Sequence, residues 1–311
     1  SILPFAKGIP TTNDITNMCS GITVSIVQGF QKGSDTLFVK DDDNIASNFV
    51  ITYDRQSGVL IARTSPGVTN TRYACFQFLQ VAVRFFTTSN TVNNRRLSYT
   101  LGADMVVNEK NDKLLHYVKK SAQNWTAASD MCTAQATKWG FTGSRVAQLY
   151  SQVDNLRLKA LMAQGWLAAT VHTGTQDWYW PGQTVNFWSG AGASGKLEKT
   201  TAGVGRYAQW AAGEPKAATY STSRAFLVSS GFWKTMDGGA NTPVGVICEY
   251  DVPAVIVTSA RNVAPYGCFM SACLGYGFDV CRQDPACVWK DAINGSQTAG
   301  QCALDTWCTS E

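Results

Sequence analysis

The chain has 311 residues, of which 45% are hydrophobic and 15% charged, and its net charge at pH 7 is +4. This length allows two or three domains with buried cores, and we expect three. The cationic residues form no basic stripe, which argues against nucleic acid as a partner. No apolar run approaches the roughly eighteen residues that span a bilayer, so we expect no membrane span in this chain.

The ten cysteines fall along the chain into groups of two, two and six. An even number in each group favours disulfides formed in an oxidising compartment. Zinc is the alternative, but no Cys-x-x-Cys pair occurs and only His116 and His172 are available beside the cysteines. We therefore predict disulfides within each group and no metal. The groups are Cys19 and Cys75; Cys132 and Cys248; and Cys268, Cys273, Cys281, Cys287, Cys302 and Cys308.

Two glycosylation sequons, at Asn124 and Asn294, agree with secretion. The chain begins at Ser1 rather than Met and shows no signal peptide. We therefore expect a processed product or a segment of a longer protein, located outside the cell or at its surface.

Residues 1–103 contain short β-branched or aromatic runs separated by turn residues, the spacing typical of a β-sandwich. The predicted strands are Ile22–Val27, Thr36–Val39, Asn48–Tyr53, Val59–Ala62, Phe76–Phe85 and Arg95–Leu101, with a hairpin turn at Asp54–Gly58. The order of Asp35-Thr36-Leu37, Gly58-Val59-Leu60, Phe76–Leu79 and Asn94–Tyr99 resembles the cadherin-like immunoglobulin sandwiches of large surface proteins. The resemblance implies a spacer module, which a Cys19–Cys75 bridge would staple.

Asp41–Asn44 has two interpretations. Carboxylate oxygens are calcium ligands, and cadherin-like modules carry them at their ends. The recognised calcium loops also need further spaced carboxylates and a glycine, which are missing here. We favour a solvated turn between two strands.

Residues 104–252 carry a series of short segments in one fixed order. They are Leu114–Val118, Asn124–Cys132, Trp166–Ala169, Tyr207–Pro215, Gly231–Trp233 and Val246–Tyr250. From about residue 112 to 251 this order resembles the C-type lectin-like domain, an α+β fold. The resemblance implies that a helix carrying Cys132 is bonded to Cys248 on the last core strand.

A second helix is predicted from the residues themselves. Ser151 and Asp154 form a capping box, and Val153, Leu156, Ala160 and Leu161 follow at helical spacing. His116 falls on a predicted strand, and His172 follows the strand that begins at Trp166. Neither histidine has a nucleophile or carboxylate partner at recognisable spacing, so we interpret both as structural.

Many sugar-binding members of this family hold calcium with Glu-Pro-Asn or Gln-Pro-Asp and with Trp-Asn-Asp. The matching residues here are Glu214-Pro215-Lys216 and Trp233-Lys234-Thr235. Lys216 and Lys234 put ammonium groups in place of oxygen ligands, and an ammonium has no lone pair to offer. The resemblance therefore implies a degenerate calcium site at Glu214, Lys216 and Lys234, with no metal and no cofactor. The family's second disulfide is also replaced, by Arg224 and Gly238.

The partner contact is expected on the long loop region, which runs from about residue 173 to 245, between about Thr173 and Tyr220 and not at the helical pole. Ser189–Lys196 imitates a phosphate-binding loop, but Leu197 follows where Ser or Thr would hold magnesium, so we predict a flexible surface loop. Aromatic and cationic side chains flank it, as in contact patches. The competing interpretation is that its aromatics close the core, as Trp178, Trp180, Trp210 and Trp233 do in the family. The candidate contacts are Tyr179, Phe187, Trp188, Arg206, Tyr207 and Lys216.

Residues 253–311 lose strand pattern and become rich in cysteine, which is typical of a small disulfide-stapled module. Asp284–Asp291 resembles the cysteine-tryptophan segment of plexin-semaphorin-integrin modules, which act as spacers. The pairing among its six cysteines is left open.

These observations predict an extracellular, non-enzymatic glycoprotein that works in adhesion or assembly. We expect three modules: a β-sandwich (1–103), a lectin-like domain (104–252) and a cysteine-rich module (253–311). A protein partner or self-assembly is the leading hypothesis, and calcium-independent glycan binding is the alternative. A secreted enzyme is disfavoured, because no acid-base pair, metal cluster or activated nucleophile stands at meaningful spacing.

Overall fold

The computed structural model describes residues 18–40, 45–71, 74–75, 78–79, 82–89, 94–110, 112–139, 141–171, 175–198, 207–217, 223–237, 244–251, 259–263, 269–270, 287–290 and 301–304. Several predictions lie outside the described residues. They concern Asp41–Asn44, His172, Arg206, Gly238, Asn294, Cys268, Cys273, Cys281 and Cys308.

The N-terminal unit, residues 18–101, is built from antiparallel strands. Its strands are β1 (Met18–Cys19), β2 (Gly21–Gln28), β3 (Asp35–Val39), β4 (Phe49–Asp54), β5 (Val59–Thr64), β6 (Asn70–Thr71), β7 (Val83–Thr87) and β8 (Asn94–Leu101). Strands β8, β2, β5 and β4 are neighbours in a six-stranded sheet, while β3 pairs with β7 and β1 with β6. The β4–β5 hairpin turns where predicted, because the Asp54 carboxylate accepts the amides of Gln56 and Ser57.

One hydrophobic core joins the six-stranded sheet to the β3–β7 pair. Ile22, Val24 and Leu60 from the sheet pack with Leu37 of β3 and Phe85 of β7. The Cys19–Cys75 disulfide is formed and closes this core. The immunoglobulin-like and cadherin-like assignments stay predictions.

The run Phe76–Phe85, predicted as one strand, is divided in the structure. Residues 78 and 79 are helical, the amide of Ala82 donates to the carbonyl of Phe78 at 3.0 Å, and the strand begins only at Val83. Among the described residues before the strand, Cys75, Phe78, Leu79 and Ala82 are buried. They recur at the spacing of a helix face, so the prediction of a strand over the whole run was wrong.

The described residues of the central unit, within 102–251, form a ten-stranded sheet and two α-helices. Its strands are β9 (Met105–Val107), β10 (Lys113–Ala122), β11 (Arg145–Val146), β12 (Gly165–Val171), β13 (Asp177–Tyr179), β14 (Trp188–Ser189), β15 (Lys196–Leu197), β16 (Ser223–Leu227), β17 (Trp233–Asp237) and β18 (Val244–Asp251). The order is β15-β14-β13-β12-β18-β10-β9, with β11 on β18 and β16 between β12 and β17. β12 and β18 run parallel, and Gly165 permits their approach, because a Cβ there would lie 2.1 Å from the carbonyl oxygen of Gly245.

Helix α1 (Trp125–Trp139) packs beside β18 through Ala128, Cys132 and Ala136, its buried residues. The side chain of Asn124 caps its first turn by accepting the amide of Ala127 at 2.9 Å. Cys132 is bonded to Cys248 on β18, across 116 residues of sequence. This is the bond implied by the family resemblance.

Helix α2 (Gln152–Ala160) begins at Ser151, whose hydroxyl accepts the amide of Asp154 at 3.1 Å. The Asp154 carboxylate turns instead to the amide of Glu109, so only one half of the predicted capping box is formed. The predicted apolar face was also largely wrong. Val153, Leu156 and Ala160 are half-buried, and the buried residues within the helix are Asp154, Asn155, Arg157 and Leu158.

Strands also occur after residue 252, where the sequence pattern predicts none. They are β19 (Ser259–Val263), β20 (Phe269–Met270), β21 (Cys287–Lys290) and β22 (Gln301–Leu304). β19 pairs with the edge strand β8, which extends the N-terminal sheet across the predicted module boundary. An edge strand offers unpaired backbone groups to any segment that reaches it, whatever its side-chain pattern. The division into three modules stays a prediction.

Candidate ligand-binding site

The long loop region rises from a floor of aromatic rings around Trp233. The Trp233 indole is fully buried, and four other rings lie with their centroids between 5.6 and 6.2 Å from it. Those rings belong to Trp180, Phe187, Tyr207 and Trp210. Trp178 extends the floor, 4.9 Å from Trp210. Burial of this much aromatic surface fixes the backbone that carries the loops.

Phe187 belongs to this floor and not to a contact surface. It is 2% exposed and stacks on Trp180 with ring centroids 4.8 Å apart. A ring so enclosed offers no area to a partner, so the prediction that Phe187 is a contact residue was wrong.

Trp188 and Tyr207 occupy the rim between the floor and solvent, and both are half-buried. The Trp188 indole nitrogen donates to the carbonyl of Gly190 at 3.0 Å, and the Tyr207 hydroxyl to the amide oxygen of Gln209 at 3.0 Å. Burial raises the pKa of Tyr207. Each ring therefore packs against the floor, Trp188 on Trp210 and Tyr207 on Trp233, and stays partly exposed to solvent.

Tyr179 and Lys216 are more open. Tyr179 lies on β13 opposite Thr170 and is half-buried, and burial raises the pKa of its phenol. Lys216 is exposed. Among the described residues, large apolar side chains that the sequence did not single out also reach solvent nearby: Val185 is 50% exposed and Leu197 45%.

Ser189–Lys196 is not a featureless loop. Ser189 on β14 pairs with Lys196 on β15, and a short 3₁₀ turn at Gly192–Ser194 joins the two strands. The segment does lie on the surface as expected, with Ala193, Ser194 and Lys196 exposed. It forms a hairpin because the Trp188 indole packs beneath it, where a Cβ on Gly195 would lie 2.6 Å from the indole nitrogen.

Glu214 is the acidic residue of the calcium site that the sequence predicts to be degenerate, and its carboxylate is engaged within the protein. It is 9% exposed, and Oε2 accepts the backbone amides of Lys216 at 3.0 Å and Thr235 at 2.9 Å. The Lys216 amide also lies 2.9 Å from Oγ1 of Thr235. These bonds tie the Glu214–Lys216 segment to β17. The carboxylate therefore serves as a clamp between two backbone segments.

The two lysines of this site stand on its outer side. Lys216 and Lys234 are both exposed, and Lys234 lies opposite Phe226 on the outward face of the β16–β17 pair. Within the described part of the chain there is no group of three or more His, Cys, Asp or Glu side chains that could hold a metal ion. The surface here carries cations beside a carboxylate that is already bonded.

Arg224 stands at the position where the family resemblance implies one half of a second disulfide. Its guanidinium lies 5.0 Å from the centre of the Trp125 ring and donates to Oγ1 of Thr170 at 2.7 Å. Burial lowers its pKa. Arg224 thereby joins helix α1 to β12, a cross-link that the sequence comparison did not foresee.

Asn155 is another residue of this site that the sequence did not single out. Its side chain accepts the Trp233 indole N–H at 2.8 Å and donates to the carbonyl of Gly231. The two residues are 78 positions apart, so no local pattern connects them. His116, by contrast, lies on β10 as predicted, buried, with Nδ1 3.4 Å from the hydroxyl of Tyr250.

No protein-family model matches the chain. No curated protein matches it either. Across the described residues, no helix is both long and apolar enough to cross a bilayer.

Solved structures do match, over about half of the chain. The mouse scavenger receptor C-type lectin carbohydrate-recognition domain is 18% identical, with 46% of this chain and 91% of that chain covered and a TM-score of 0.33. The cow C-type carbohydrate-recognition domain of CD23, solved in the presence of a GlcNAc2Man3 oligosaccharide, is 15% identical. The match covers 50% of this chain and 98% of that chain, with a TM-score of 0.34. A calcium-independent type II antifreeze protein is 14% identical, with 49% of this chain and 95% of that chain covered and a TM-score of 0.33. The solved structures that this chain is similar to are thus C-type lectin-like domains.

Proposed function

We propose that this chain is a non-enzymatic extracellular glycoprotein that works as a binding or assembly module of a cell surface, appendage or matrix. It would bind through a lectin-like central unit that lacks the usual calcium site. The observation that carries the proposal is the state of Glu214. Its carboxylate is held by two backbone amides, and exposed lysines replace the neighbouring oxygen ligands. Binding through calcium is therefore replaced by direct contact with protein side chains.

A test of the calcium part is calorimetric titration with calcium, together with thermal unfolding in EDTA. We expect no saturable heat and the same melting temperature with and without chelator, because Glu214 stabilises the fold through amides rather than through an ion. A saturable site that disappears in the Glu214→Gln variant would refute this part.

The contact surface that we propose is the solvent side of the long loop region. Phe187 is excluded from it by burial, which leaves Tyr179, Trp188, Tyr207 and Lys216, extended by the exposed Val185 and Leu197. Arg206 stays a candidate from the sequence alone. Aromatic edges beside apolar and cationic side chains form the composition of contact patches at protein interfaces.

Protein contact is tested by sedimentation of the purified chain over a range of concentrations. We expect Lys216→Glu combined with Tyr179→Ala to weaken self-association at least about ten-fold, the effect of losing a central contact. Lys120→Glu, an exposed lysine on β10, is the matched control. Self-association that both variants leave unchanged would remove this surface from the assembly.

Calcium-independent glycan binding is the second candidate, favoured by half-buried aromatic rings beside exposed lysines. Sugar rings stack on the faces of partly exposed aromatic side chains, and lysines bind acidic substituents. A glycan array run with and without EDTA distinguishes glycan binding from protein assembly. Retained glycan signal in EDTA that Tyr179→Ala abolishes would favour this candidate over protein assembly.

A further inference from the structure

Helix α2 buries an unusual set of side chains for a nine-residue helix. Asp154, Asn155 and Arg157 are 3%, 3% and 2% exposed. Most buried polar groups are hydrogen-bonded, because the loss of water is otherwise uncompensated. Each of these side chains has such bonds, although Arg157 Nε itself finds no partner among the described residues. The partners of these three side chains therefore reveal what the helix holds together.

One side of α2 is bonded to the N-terminal unit and to the segment that leaves it. Arg157 donates from Nη1 to the carbonyl of Val107 at 2.7 Å and from Nη2 to the carbonyl of Ile26 at 3.4 Å. Asp154 accepts the amide of Glu109 at 2.6 Å. Burial lowers the pKa of Arg157, while Asp154 and Glu109 act against that shift. An Arg at this place can serve two carbonyls in different strands at once.

The contact is wider than these bonds. Arg63 on β5 donates to the carbonyl of Leu161, just past the end of α2, at 3.3 Å and lies 3.7 Å from the Asp104 carboxylate. Val59 and Ile61, also on β5, belong to the same hydrophobic core as Val107 and Leu158 of the central unit. The N-terminal unit thus packs directly against the central unit at the helix.

The other side of α2 is bonded to the floor of the long loop region. Asn155 holds the Trp233 indole and the Gly231 carbonyl. The Trp233 amide donates to the carbonyl of Gln209 at 2.7 Å, and its carbonyl accepts the amide of Ala211 at 2.9 Å. Two residues further along β17, Thr235 donates to Glu214. A continuous set of hydrogen bonds therefore runs from Asn155 to the Glu214–Lys216 segment.

We infer that α2 couples the N-terminal unit to the long loop region, with Arg157 and Asn155 as its positioning residues. The two side chains are two residues apart on one rigid turn of the helix. A movement of the helix that relaxes the hydrogen bonds of Arg157 therefore also displaces the hydrogen bonds of Asn155. The N-terminal unit thereby sets the geometry of the contact surface instead of acting only as a spacer. That consequence for binding rests on the function proposed above, whereas the coupling itself does not.

Amide hydrogen exchange on the full chain tests the coupling without any ligand. The variant is Arg157→Met, which keeps the apolar stem and removes the donors. We expect protection to fall by about ten-fold at the Trp233, Thr235 and Lys216 amides, since a bond to a charged group is lost at the other side of α2. Gln152→Met, at an exposed position of the same helix, should leave these amides unchanged.

Coupling is reciprocal, which supplies the second arm. Asn155→Ala should speed exchange at the Glu109 amide, whose hydrogen bond is to Asp154 and not to Asn155. Should Arg157→Met fail to fold, Arg63→Ala replaces it, because Arg63 is only half-buried and its loss should lower protection at Trp233 about two- to three-fold. Faster exchange confined to the mutated side of α2, in each of these variants, would overturn the inference and leave the proposed function standing.

Discussion

The ring of Phe187 lies between Trp180 and Trp233 at the floor of the long loop region. Its replacement by alanine should lower the free energy of unfolding by about 3 to 5 kcal/mol, because a cavity remains among rings that cannot collapse onto it. Urea denaturation followed by tryptophan fluorescence measures this. Val185→Ala, at a half-exposed position two residues earlier, should change stability by less than about 0.5 kcal/mol. Wild-type stability of Phe187→Ala with a loss of binding would return Phe187 to the contact surface.

His116 gives the central unit a dependence on pH. Burial lowers the pKa of His116 to about 4, so the folded state holds the ring neutral between that value and its ordinary pKa of 6.5. In this window the unfolded chain binds the extra proton. Stability is therefore fully present above about pH 6.5 and falls as the pH drops toward 4, by up to about 3 kcal/mol.

Thermal unfolding of wild type and His116→Asn at pH 7.5 and pH 4.5 isolates this contribution, since every other titrating group is common to both. Asparagine retains a polar atom near the Tyr250 hydroxyl but does not titrate. We expect the variant to lose less stability between the two pH values than the wild type. Equal losses would show that His116 is not the group responsible.

At the scale of single elements, helix α1 begins at a residue with two roles. Asn124 caps the helix through Oδ1 and is also the acceptor of a glycosylation sequon. A glycan would attach to the side-chain nitrogen, which leaves the capping oxygen in place. The cap and the glycan are therefore compatible on one side chain.

Matched substitutions separate the two roles. Asn124→Ala should lower stability by about 1 kcal/mol through loss of the cap, whereas Asn124→Asp removes the sequon and keeps the capping oxygen. Thr126→Ala removes the sequon and leaves Asn124 itself intact. Denaturant unfolding of unglycosylated material measures the cap, and the mass of secreted material measures the glycan. Equal stability of the Ala and Asp variants would show that the cap contributes little.

Helix α2 begins where the sequence predicts, but the side of the helix that is buried differs from the predicted one. Ser151 begins the helix because its hydroxyl satisfies a free amide, which is a local interaction. The side of the helix that is buried depends on what packs against it. The carbonyls of Ile26, Val107 and Gly231 surround α2, so polar side chains are buried where hydrophobic periodicity predicted apolar ones.

For the whole molecule, the cysteine groups predict a disulfide map. The Cys19–Cys75 and Cys132–Cys248 bonds are formed in the structure. Cys287 and Cys302 lie on β21 and β22, which pair with each other. We predict that the six C-terminal cysteines pair only among themselves.

A non-reducing digest analysed by mass spectrometry checks this map. Removal of the Cys132–Cys248 bond in a double alanine variant should cost about 4 to 5 kcal/mol, because the bond closes a long loop of the unfolded chain. A free thiol, or a bond between different groups, would contradict the map.

Most of the N-terminal strands, the hairpin turn at Asp54–Gly58 and the start of α2 could be predicted from the residues themselves. Each depends on interactions within a few residues: alternation of apolar side chains, turn residues with special backbone angles, and a capping hydroxyl. That Lys216 and Lys234 offer no lone pair to a metal ion was also readable from the sequence, because the chemistry of an ammonium does not depend on the fold. The sequence by itself therefore determined where several elements lie and which charges stand at these two positions.

Only the tertiary structure decided which side chains are reachable. Phe187 and Trp188 are adjacent in sequence, yet one lies in the floor and the other at the rim, because the aromatic rings that enclose Phe187 come from distant segments. Distant segments also meet in the hydrogen bonds between Asn155 and Trp233 and between Arg157 and Ile26, and in the pairing of β19 with β8. Burial and long-range hydrogen bonds are properties of how segments meet in space, and no local pattern encodes the partner across such distances.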